Sequence, residues 1–122
     1  LTGGEPLLQV DKPLIDALKN EHIYIALETN GTLEAPDGID WICMSPKANT
    51  EIKLKKGSEV KVVFPQKNLN PDDFNVLDFK NFYIQPMDSQ SYEDNVSQAV
   101  KFCMRNPNWK LSLQTHKILG IR

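Results

Sequence analysis

Two adjacent glycines near the start of the chain, flanked by a hydroxyl and a carboxylate, could bind a polar ligand. In Thr2-Gly3-Gly4-Glu5 the glycines allow positive φ and let another molecule approach the backbone closely. Four further polar clusters each follow an apolar run. They are Glu28-Thr29-Asn30, Ser45-Pro46-Lys47, Gln85-Pro86-Met87-Asp88 and Gln114-Thr115-His116-Lys117.

These side chains suit a ligand that carries both an amino group and a carboxylate. Glycine carbonyls and Glu5 could accept from an ammonium, and Lys47 or Lys117 could pair with a carboxylate. Ser45 could bind a ligand hydroxyl, as could Asn30. The chain shows no Ser/His/Asp signature, no His pair at metal spacing and no phosphate loop, so the residue types alone name no reaction.

The elements that must position these clusters are short strands and helices. Apolar runs at 23–27, 39–44, 59–64, 82–84 and 109–113 predict strands. Helix starts are predicted after Asp11, at Asn70 and at Ser91, where Ser91 and Asp94 resemble a capping box. In a parallel sheet the carboxyl ends of all strands share one edge, where α/β folds bind ligands. Taken alone, each cluster also has a purely structural interpretation, such as a tight turn or a loop cap.

Composition limits the class of protein. At 122 residues the chain suffices for one domain or part of one, and falls short of a complete eight-stranded barrel at about 250 residues. A net charge of −2 gives no electrostatic footprint for nucleic acid, and the basic run at 53–56 is predicted to be a solvated loop. No membrane span or signal peptide is evident, which predicts a cytoplasmic protein.

The two cysteines and the first residues carry two further expectations. Cys43 and Cys103 are far apart in sequence and are predicted to be buried free thiols, so this chain by itself is not expected to hold a cysteine-ligated metal. The chain opens on a turn, without Met or a preceding apolar run, and therefore reads as part of a longer protein.

The order and spacing of the motifs resemble a known family. Thr2-Gly3-Gly4-Glu5-Pro6 is similar to the Gly-Gly-Glu element that recurs across radical S-adenosylmethionine enzymes. Glu28-Thr29-Asn30-Gly31-Thr32, Ser45-Pro46-Lys47, Gln85-Pro86-Met87-Asp88 and the stretch 111–120 with its Gln-Thr-His-Lys sequence are more specific. Together they resemble, over essentially the whole chain, the C-terminal portion of the 7-carboxy-7-deazaguanine synthases.

The resemblance implies a fold, a reaction and cofactors. Residues 1–122 would form the second half of a partial (β/α) barrel with mostly parallel strands, within a single radical S-adenosylmethionine domain. The family's reaction is a lyase-type ring contraction of 6-carboxy-5,6,7,8-tetrahydropterin to 7-carboxy-7-deazaguanine, on the path to queuosine. A [4Fe-4S] cluster on a three-cysteine loop cleaves S-adenosylmethionine to a 5′-deoxyadenosyl radical, and Mg²⁺ assists. The expected partner is the small pterin, with neither nucleic acid nor membrane, and a homodimer is possible.

The resemblance also assigns residues. S-adenosylmethionine would be contacted by Gly4, Ser45, Pro46, Lys47, Gln85, Pro86, Met87 and Asp88. The pterin would be contacted by Thr2, His116 and Arg122, the last through its terminal carboxylate. The family's cysteine loop and its magnesium-binding Thr lie upstream of the Gly-Gly-Glu turn. This chain is therefore expected to contain no catalytic residue and no metal ligand, and to be inactive alone.

Two other interpretations remain open. The first is another radical S-adenosylmethionine protein, such as a glycyl-radical-activating enzyme, which would share the Gly-Gly-Glu turn; the Gln-Thr-His-Lys sequence argues against it. The second is a non-catalytic half-barrel that binds a small polar ligand or docks a partner through exposed strand edges.

Overall fold

The computed structural model describes residues 1–121 as an α/β unit built on one sheet. The strands are β1 (Ala26–Thr29), β2 (Trp41–Met44), β3 (Lys56–Phe64), β4 (Asp78–Pro86) and β5 (Trp109–Leu111). The α-helices are α1 (Lys12–Asn20), α2 (Tyr92–Arg105) and α3 (Thr115–Ile118). Two short 3-10 helices lie at Pro6–Leu8 and Pro71–Phe74.

The sheet follows the order of the chain. Its strands are arranged β1-β2-β3-β4-β5, and every neighbouring pair is parallel. The predicted parallel α/β class is therefore confirmed, and the carboxyl ends of the strands share one edge. The described residues form one sheet of five strands that does not close on itself, so the barrel stays a prediction.

The register sets how far each strand reaches toward that edge. One row across the sheet contains Thr29, Met44, Val60, Phe82 and Trp109. β1 and β2 end in this row, whereas β3 and β4 continue beyond it until they end side by side at Phe64 and Pro86. The carboxyl edge is therefore stepped, with the tips of β3 and β4 standing highest.

One face of the sheet, here called the apolar face, contains the core. Val60, Val62 and Ile84 are fully buried there, together with Met44 and with Ala99 of α2. Trp109 packs against Phe82 and Phe102, and its indole N–H donates to the Asn75 side chain at 3.0 Å. The longest helix, α2, packs on β4 and β5 and covers this part of the apolar face.

Helix α1 covers the first strand on the same face. Asp11 caps the helix by accepting from the Leu14 N–H at 3.0 Å, as predicted, and Ile15 is fully buried beside Ile25 and Leu27. The Asp40 carboxylate ties this region together by accepting from the Ile25 N–H at 2.7 Å and from Lys19. These bonds hold the pKa of Asp40 below its usual value.

Some local predictions were wrong in detail. The first strand lies at Ala26–Thr29 rather than 23–27, and the last ends at Leu111 rather than 113. The predicted capping box does not form, because Ser91 makes no side-chain bond to α2. Helix α3 was not predicted at all. Cys43 is buried as expected, whereas Cys103 is only partly buried.

Candidate functional site

The first polar cluster is locked to the tip of β1 by one carboxylate. Glu5 Oε1 accepts from the Thr29 hydroxyl at 2.6 Å and from the Leu7 N–H at 3.1 Å. Its other oxygen, Oε2, accepts from the Asn30 N–H at 2.7 Å. Both oxygens of Glu5 thus accept from protein donors. This geometry favours a structural role for Glu5 over the expected role as an acceptor for a ligand ammonium.

The residues before Glu5 continue the sheet. The Leu1 amino group donates to the Ala26 carbonyl at 2.6 Å, and the Leu1 carbonyl accepts from the Glu28 N–H at 3.0 Å. This is the bonding pattern of a parallel neighbour of β1. Gly3 and Gly4 follow with φ of 92° and 59°, and a Cβ built on either would meet no atom within 4 Å. The glycine turn is therefore open to an approaching molecule.

The second and third clusters adjoin this turn. The Ser45 N–H donates to the Thr29 carbonyl at 2.7 Å, which extends the β1–β2 pairing past the strand ends. Ser45 and Pro46 are buried, whereas Lys47 is exposed and donates from Nζ to the Ser45 hydroxyl at 3.1 Å. An ammonium group and a hydroxyl therefore lie together, directly beside the tip of β1.

The fourth cluster is held by a buried amide. Asn95 of α2 donates from Nδ2 to the Met87 carbonyl at 2.9 Å and to the Ser89 hydroxyl at 3.0 Å. The Met87 N–H donates to the Phe64 carbonyl at 2.8 Å, so the chain leaves β4 along the tip of β3. Because Asn95 is only 6% exposed, it orders this loop from inside the molecule.

The fifth cluster contacts the fourth through an ion pair. Lys117 of α3 pairs with Asp88, and both residues line a cavity of about 210 Å³ with Tyr92, Gln114 and Ile118. His116 is exposed on the same short helix. Arg122, the third predicted pterin contact, lies outside the described residues.

The structure therefore forms two groups of predicted site residues along one edge. Thr2, Gly4, Ser45 and Lys47 lie around the tip of β1, and Asp88, Lys117 and His116 lie around the ends of β4 and β5. The raised tip of β3 stands between the two groups. Thr2 and His116, both expected to contact the pterin, lie beside the first and the last strand of the order, and the described residues make no direct contact between them.

Sequence reasoning missed a charged patch on the second face of the sheet, here called the polar face. Lys61 Nζ pairs with Glu28 Oε1 at 2.9 Å, and both line a cavity of about 270 Å³ with Thr2, Cys43 and Glu59. The alternation Glu59-Val60-Lys61-Val62 was the available signal, because every second residue of a strand points to the same face. The polar face thus continues the site from the tip of β1 into the sheet.

The patch shifts two ionisations. Burial, aided by the neighbouring Glu59 carboxylate, raises the pKa of Cys43 to about 12, while the charge of Lys61 opposes this. Burial by itself lowers the pKa of Lys61, but the hydrogen bond to Glu28 and the nearby acidic groups outweigh it, so the pKa lies above its usual value. At neutral pH the patch therefore contains a neutral thiol and a charged lysine.

Two kinds of structural feature are absent from the described residues, a metal-binding cluster and a membrane-spanning helix. Among residues 1–121, no three His, Cys, Asp or Glu side chains come close enough together to hold a metal ion. Within the same part of the chain, no helix has both the length and the apolar character needed to cross a membrane.

Comparison with known proteins tests the resemblance predicted from the motifs. The chain is 54% identical over its whole length to a 7-carboxy-7-deazaguanine synthase from Bradyrhizobium diazoefficiens, of which it covers 58%. It is 51% identical to the synthase from Caulobacter vibrioides over 98% of the chain, and 49% identical to that from Bordetella pertussis; each alignment covers 57% of the relative.

The predicted resemblance to the 7-carboxy-7-deazaguanine synthases is confirmed. No protein-family model matches the chain. The chain spans less than two thirds of the length of the synthases it matches, at 58% and 57% of those relatives. What these synthases do is therefore carried over to this chain only as a proposal.

Proposed function

We propose that this chain is the C-terminal part of a radical S-adenosylmethionine lyase that converts 6-carboxy-5,6,7,8-tetrahydropterin to 7-carboxy-7-deazaguanine, in the biosynthesis of queuosine and related 7-deazapurines. One observation carries the proposal, the 54% identity that extends over all 122 residues to a relative of that name. The parallel sheet with its polar carboxyl edge supports it, because such edges bind ligands in α/β folds.

The residues at the tip of β1 fit S-adenosylmethionine. Gly4 offers backbone that a ligand can approach without meeting a side chain, and Lys47 presents an ammonium beside the Ser45 hydroxyl. An amino acid with a nucleoside attached needs such acceptors and donors. Bound to its [4Fe-4S] cluster, this cofactor would supply the hydrogen-abstracting radical.

The second group would complete the cofactor site. Gln85 and Pro86 end β4, and Met87 and Asp88 begin the loop that the buried Asn95 orders. In an open sheet this loop is separated from the glycine turn by the tip of β3. A sheet that curls as part of a (β/α) barrel would aim both groups at one centre. We therefore include the partial barrel, and a single domain of which residues 1–122 are the C-terminal part, in the proposal.

For the pterin we propose Thr2, His116 and Arg122 as contacts. Thr2 lines the cavity of about 270 Å³ on the polar face, which is roomy enough to admit part of a planar heterocycle. The ligands of the cluster and of Mg²⁺ are proposed to belong to the rest of the full-length protein, so the chain by itself is expected to be inactive.

The test is the reaction of the full-length protein. Anaerobic reconstitution with iron and sulfide, followed by incubation with the pterin and a reductant, is expected to yield 5′-deoxyadenosine and 7-carboxy-7-deazaguanine. Formation of 5′-deoxyadenosine without ring contraction would favour another radical enzyme. If neither product forms while a ligand still binds, the half-barrel interpretation would stand instead.

Lys47 permits a matched test of the cofactor site. Lys47→Met is expected to weaken S-adenosylmethionine binding about tenfold or more, because a charge-assisted contact is lost. Lys53→Met is the control, since Lys53 is an exposed lysine of the same loop. Equal effects of the two substitutions in equilibrium dialysis would remove Lys47 from the site.

Residues 121 and 122 permit a test of substrate assignment. Removal of Ile121 and Arg122 from the full-length protein is expected to weaken pterin binding and to leave S-adenosylmethionine binding nearly unchanged. Equal loss of both ligands would show that these residues support the fold rather than the pterin.

A further inference from the structure

Helix α3 is held to the rest of the molecule by one polar contact. The last backbone bond from the chain to the sheet before this helix is donated by the Ser112 N–H to the Ile84 carbonyl, at 2.8 Å. Beyond it, within the described chain, the hydrogen bonds of residues 113–121 stay inside that segment, except that Lys117 Nζ pairs with Asp88 Oδ2. None of the four described residues of α3 is buried. The position of α3 therefore depends on this ion pair.

The Asp88 side of the pair is the firm one. Asp88 lies between Met87 and Ser89. The buried Asn95 amide donates to the carbonyl of Met87 at 2.9 Å and to the hydroxyl of Ser89 at 3.0 Å. The Met87 N–H is fixed as well, because it donates to the Phe64 carbonyl. The chain on both sides of Asp88 is thus held from inside the molecule, so the ion pair positions α3 against this loop rather than the loop against α3.

The pair leaves half of the Asp88 carboxylate unused. Lys117 contacts Oδ2, and among residues 1–121 Oδ1 has no hydrogen-bond partner. A carboxylate has about four acceptor positions, so one oxygen can bind a ligand while the other keeps the lysine. A ligand on Oδ1 would hold the carboxylate in the orientation that Lys117 needs.

The pair stands between residues proposed for two different ligands. Asp88 is proposed for S-adenosylmethionine, whereas His116, the neighbour of Lys117 on α3, is proposed for the pterin. The His116 carbonyl accepts from the Ile121 N–H at 2.9 Å, so α3 also sets the position of Ile121. A ligand that orders Asp88 therefore acts on the proposed pterin contacts through a single side chain.

We propose that Lys117 is a positioning residue that couples the two ligand sites: its ion pair with Asp88 holds α3, so that bound S-adenosylmethionine raises the affinity for the pterin, and bound pterin raises the affinity for S-adenosylmethionine. The inference rests on the proposed function and extends it, and Lys117 touches neither ligand. The Lys117 and Asp88 side chains are 46% and 53% exposed, and holding both in one geometry costs side-chain entropy. The first ligand to bind bears that cost, and the second binds to an ordered α3.

Three substitutions separate this role from a general effect on the fold. Lys117→Met keeps much of the side-chain length and removes the charge, and Lys117→Arg restores the charge. Lys12→Met is the matched control, because Lys12 forms an ion pair with Asp16 on α1 in which both side chains are 55% exposed. Helix α1 covers β1, at the opposite end of the strand order from β5 and α3. Asp88 itself stays unchanged, since it belongs to the proposed cofactor site.

The experiment measures two affinities on the full-length protein, reconstituted anaerobically and kept without reductant so that no turnover occurs. The Kd of the pterin is determined with and without saturating S-adenosylmethionine, and the Kd of S-adenosylmethionine with and without saturating pterin. In the parent protein we expect each Kd to fall about fivefold when the other ligand is present, by the same factor for both because coupling is reciprocal.

The variants are expected to differ in this coupling factor. Lys117→Met should reduce it to less than about twofold, and should leave the Kd of S-adenosylmethionine alone within about twofold of the parent value. Lys117→Arg and Lys12→Met should keep the parent's factor. A residue that only stabilised the fold would not change the factor selectively.

The remaining outcomes overturn different statements. If Lys117→Met keeps the parent's coupling factor, or if the parent binds both ligands without coupling, the inference fails and the proposed function stands. If Lys117→Met weakens either ligand equally with and without the other, Lys117 binds that ligand or supports the fold, and the inference fails as well. If Lys117→Met does not fold, Lys117→Gln takes its place in the same measurement. If the parent protein binds neither ligand, the proposed function itself is wrong.

Discussion

The two faces of the same sheet are built for different tasks. On the apolar face, Val60, Val62 and Ile84 are fully buried under α2. On the polar face, their strand neighbours Lys61 and Tyr83 are only partly buried. The residues alternate along β3 and β4, so one pair of strands supplies both faces.

Stability and ligand binding therefore depend on different faces of the sheet. Apolar burial stabilises the fold at the face that helices cover, at about 25 cal/mol for each Å² removed from water. Charged and polar groups collect on the opposite face and at the carboxyl edge, where they add little to stability and can bind a ligand. Substitutions on the apolar face should therefore mainly change the free energy of unfolding, and substitutions on the polar face should mainly change ligand affinity.

The largest effect is expected on the apolar face. Ile84→Ala removes a fully buried side chain and should lower the free energy of unfolding by about 2–5 kcal/mol, through lost transfer free energy and a cavity. Urea denaturation of the full-length protein measures it. Gln85→Ala, at the next position of β4 and on the other face, should cost less than about 1 kcal/mol while weakening S-adenosylmethionine binding.

The same two variants also test whether the polar face is a binding surface at all. If Gln85→Ala destabilises the protein as much as Ile84→Ala, the polar face is a second core rather than a binding surface. If Gln85→Ala changes neither stability nor binding, Gln85 leaves the proposed cofactor site.

The next largest effect depends on pH and comes from the buried thiol of the polar face. The pKa of Cys43 rises from 9.0 to about 12 in the fold. Because the unfolded chain loses this proton first, the stabilisation is complete below pH 9 and is lost as the pH rises toward 12. The loss should be about 1.4 kcal/mol for each pH unit in that window.

The measurement compares melting temperatures of the parent protein and of Cys43→Ala from pH 8 to pH 11. The difference between the two should change with pH above 9, because other titrating groups are common to both proteins. Cys103→Ala removes a less buried thiol. The difference in melting temperature between the parent protein and Cys103→Ala should therefore change less steeply with pH. Identical slopes for parent and Cys43→Ala would mean that Cys43 ionises freely.

A smaller effect is expected for the ion pair beside Thr2. Lys61→Met leaves Glu28 without its partner, and because Glu28 is 44% exposed the stability should fall by less than about 1 kcal/mol. Pterin binding by the full-length protein should weaken more than stability predicts, since the pair lines the same cavity as Thr2. A loss of stability without any change in pterin affinity would place the substrate elsewhere.

The smallest effect is expected at Lys110, near the margin of the polar face. Its ammonium lies 5.7 Å from the Tyr83 ring centre and donates to Asn81 at 3.1 Å, but it is exposed. Lys110→Gln should therefore change the free energy of unfolding by about 0.5 kcal/mol or less. A change above about 1 kcal/mol would show that the polar face contributes more to stability than its exposure suggests.

Sequence patterns identified most elements but not their ends. The apolar runs located all five strands, and Asp11 correctly marked the start of α1. β3 and β4 are longer than their runs because each supplies the other's hydrogen bonds from Lys56 and Asp78 to Phe64 and Pro86. Pairing between strands extends them into residues whose own preference for a strand is weak.

The candidate site was also predicted only in part. Its polar clusters and their resemblance to the synthases could be recognised from the sequence, because short motifs are local. The bonds of Glu5 to Thr29 and Asn30, and of Lys61 to Glu28, join residues far apart in sequence. Their partners could not be read from any single stretch.

The parallel α/β class, the polar strand ends and the likeness to the 7-carboxy-7-deazaguanine synthases could all be predicted from the chain, since they follow from residue type and local order. The folded molecule was needed to show that Glu5 fastens a glycine turn to β1, and that one face of the sheet is charged. The physical reason is that a side chain's role depends on the donors and acceptors that come within about 3 Å of it, and strand register, rather than neighbouring sequence, chooses them.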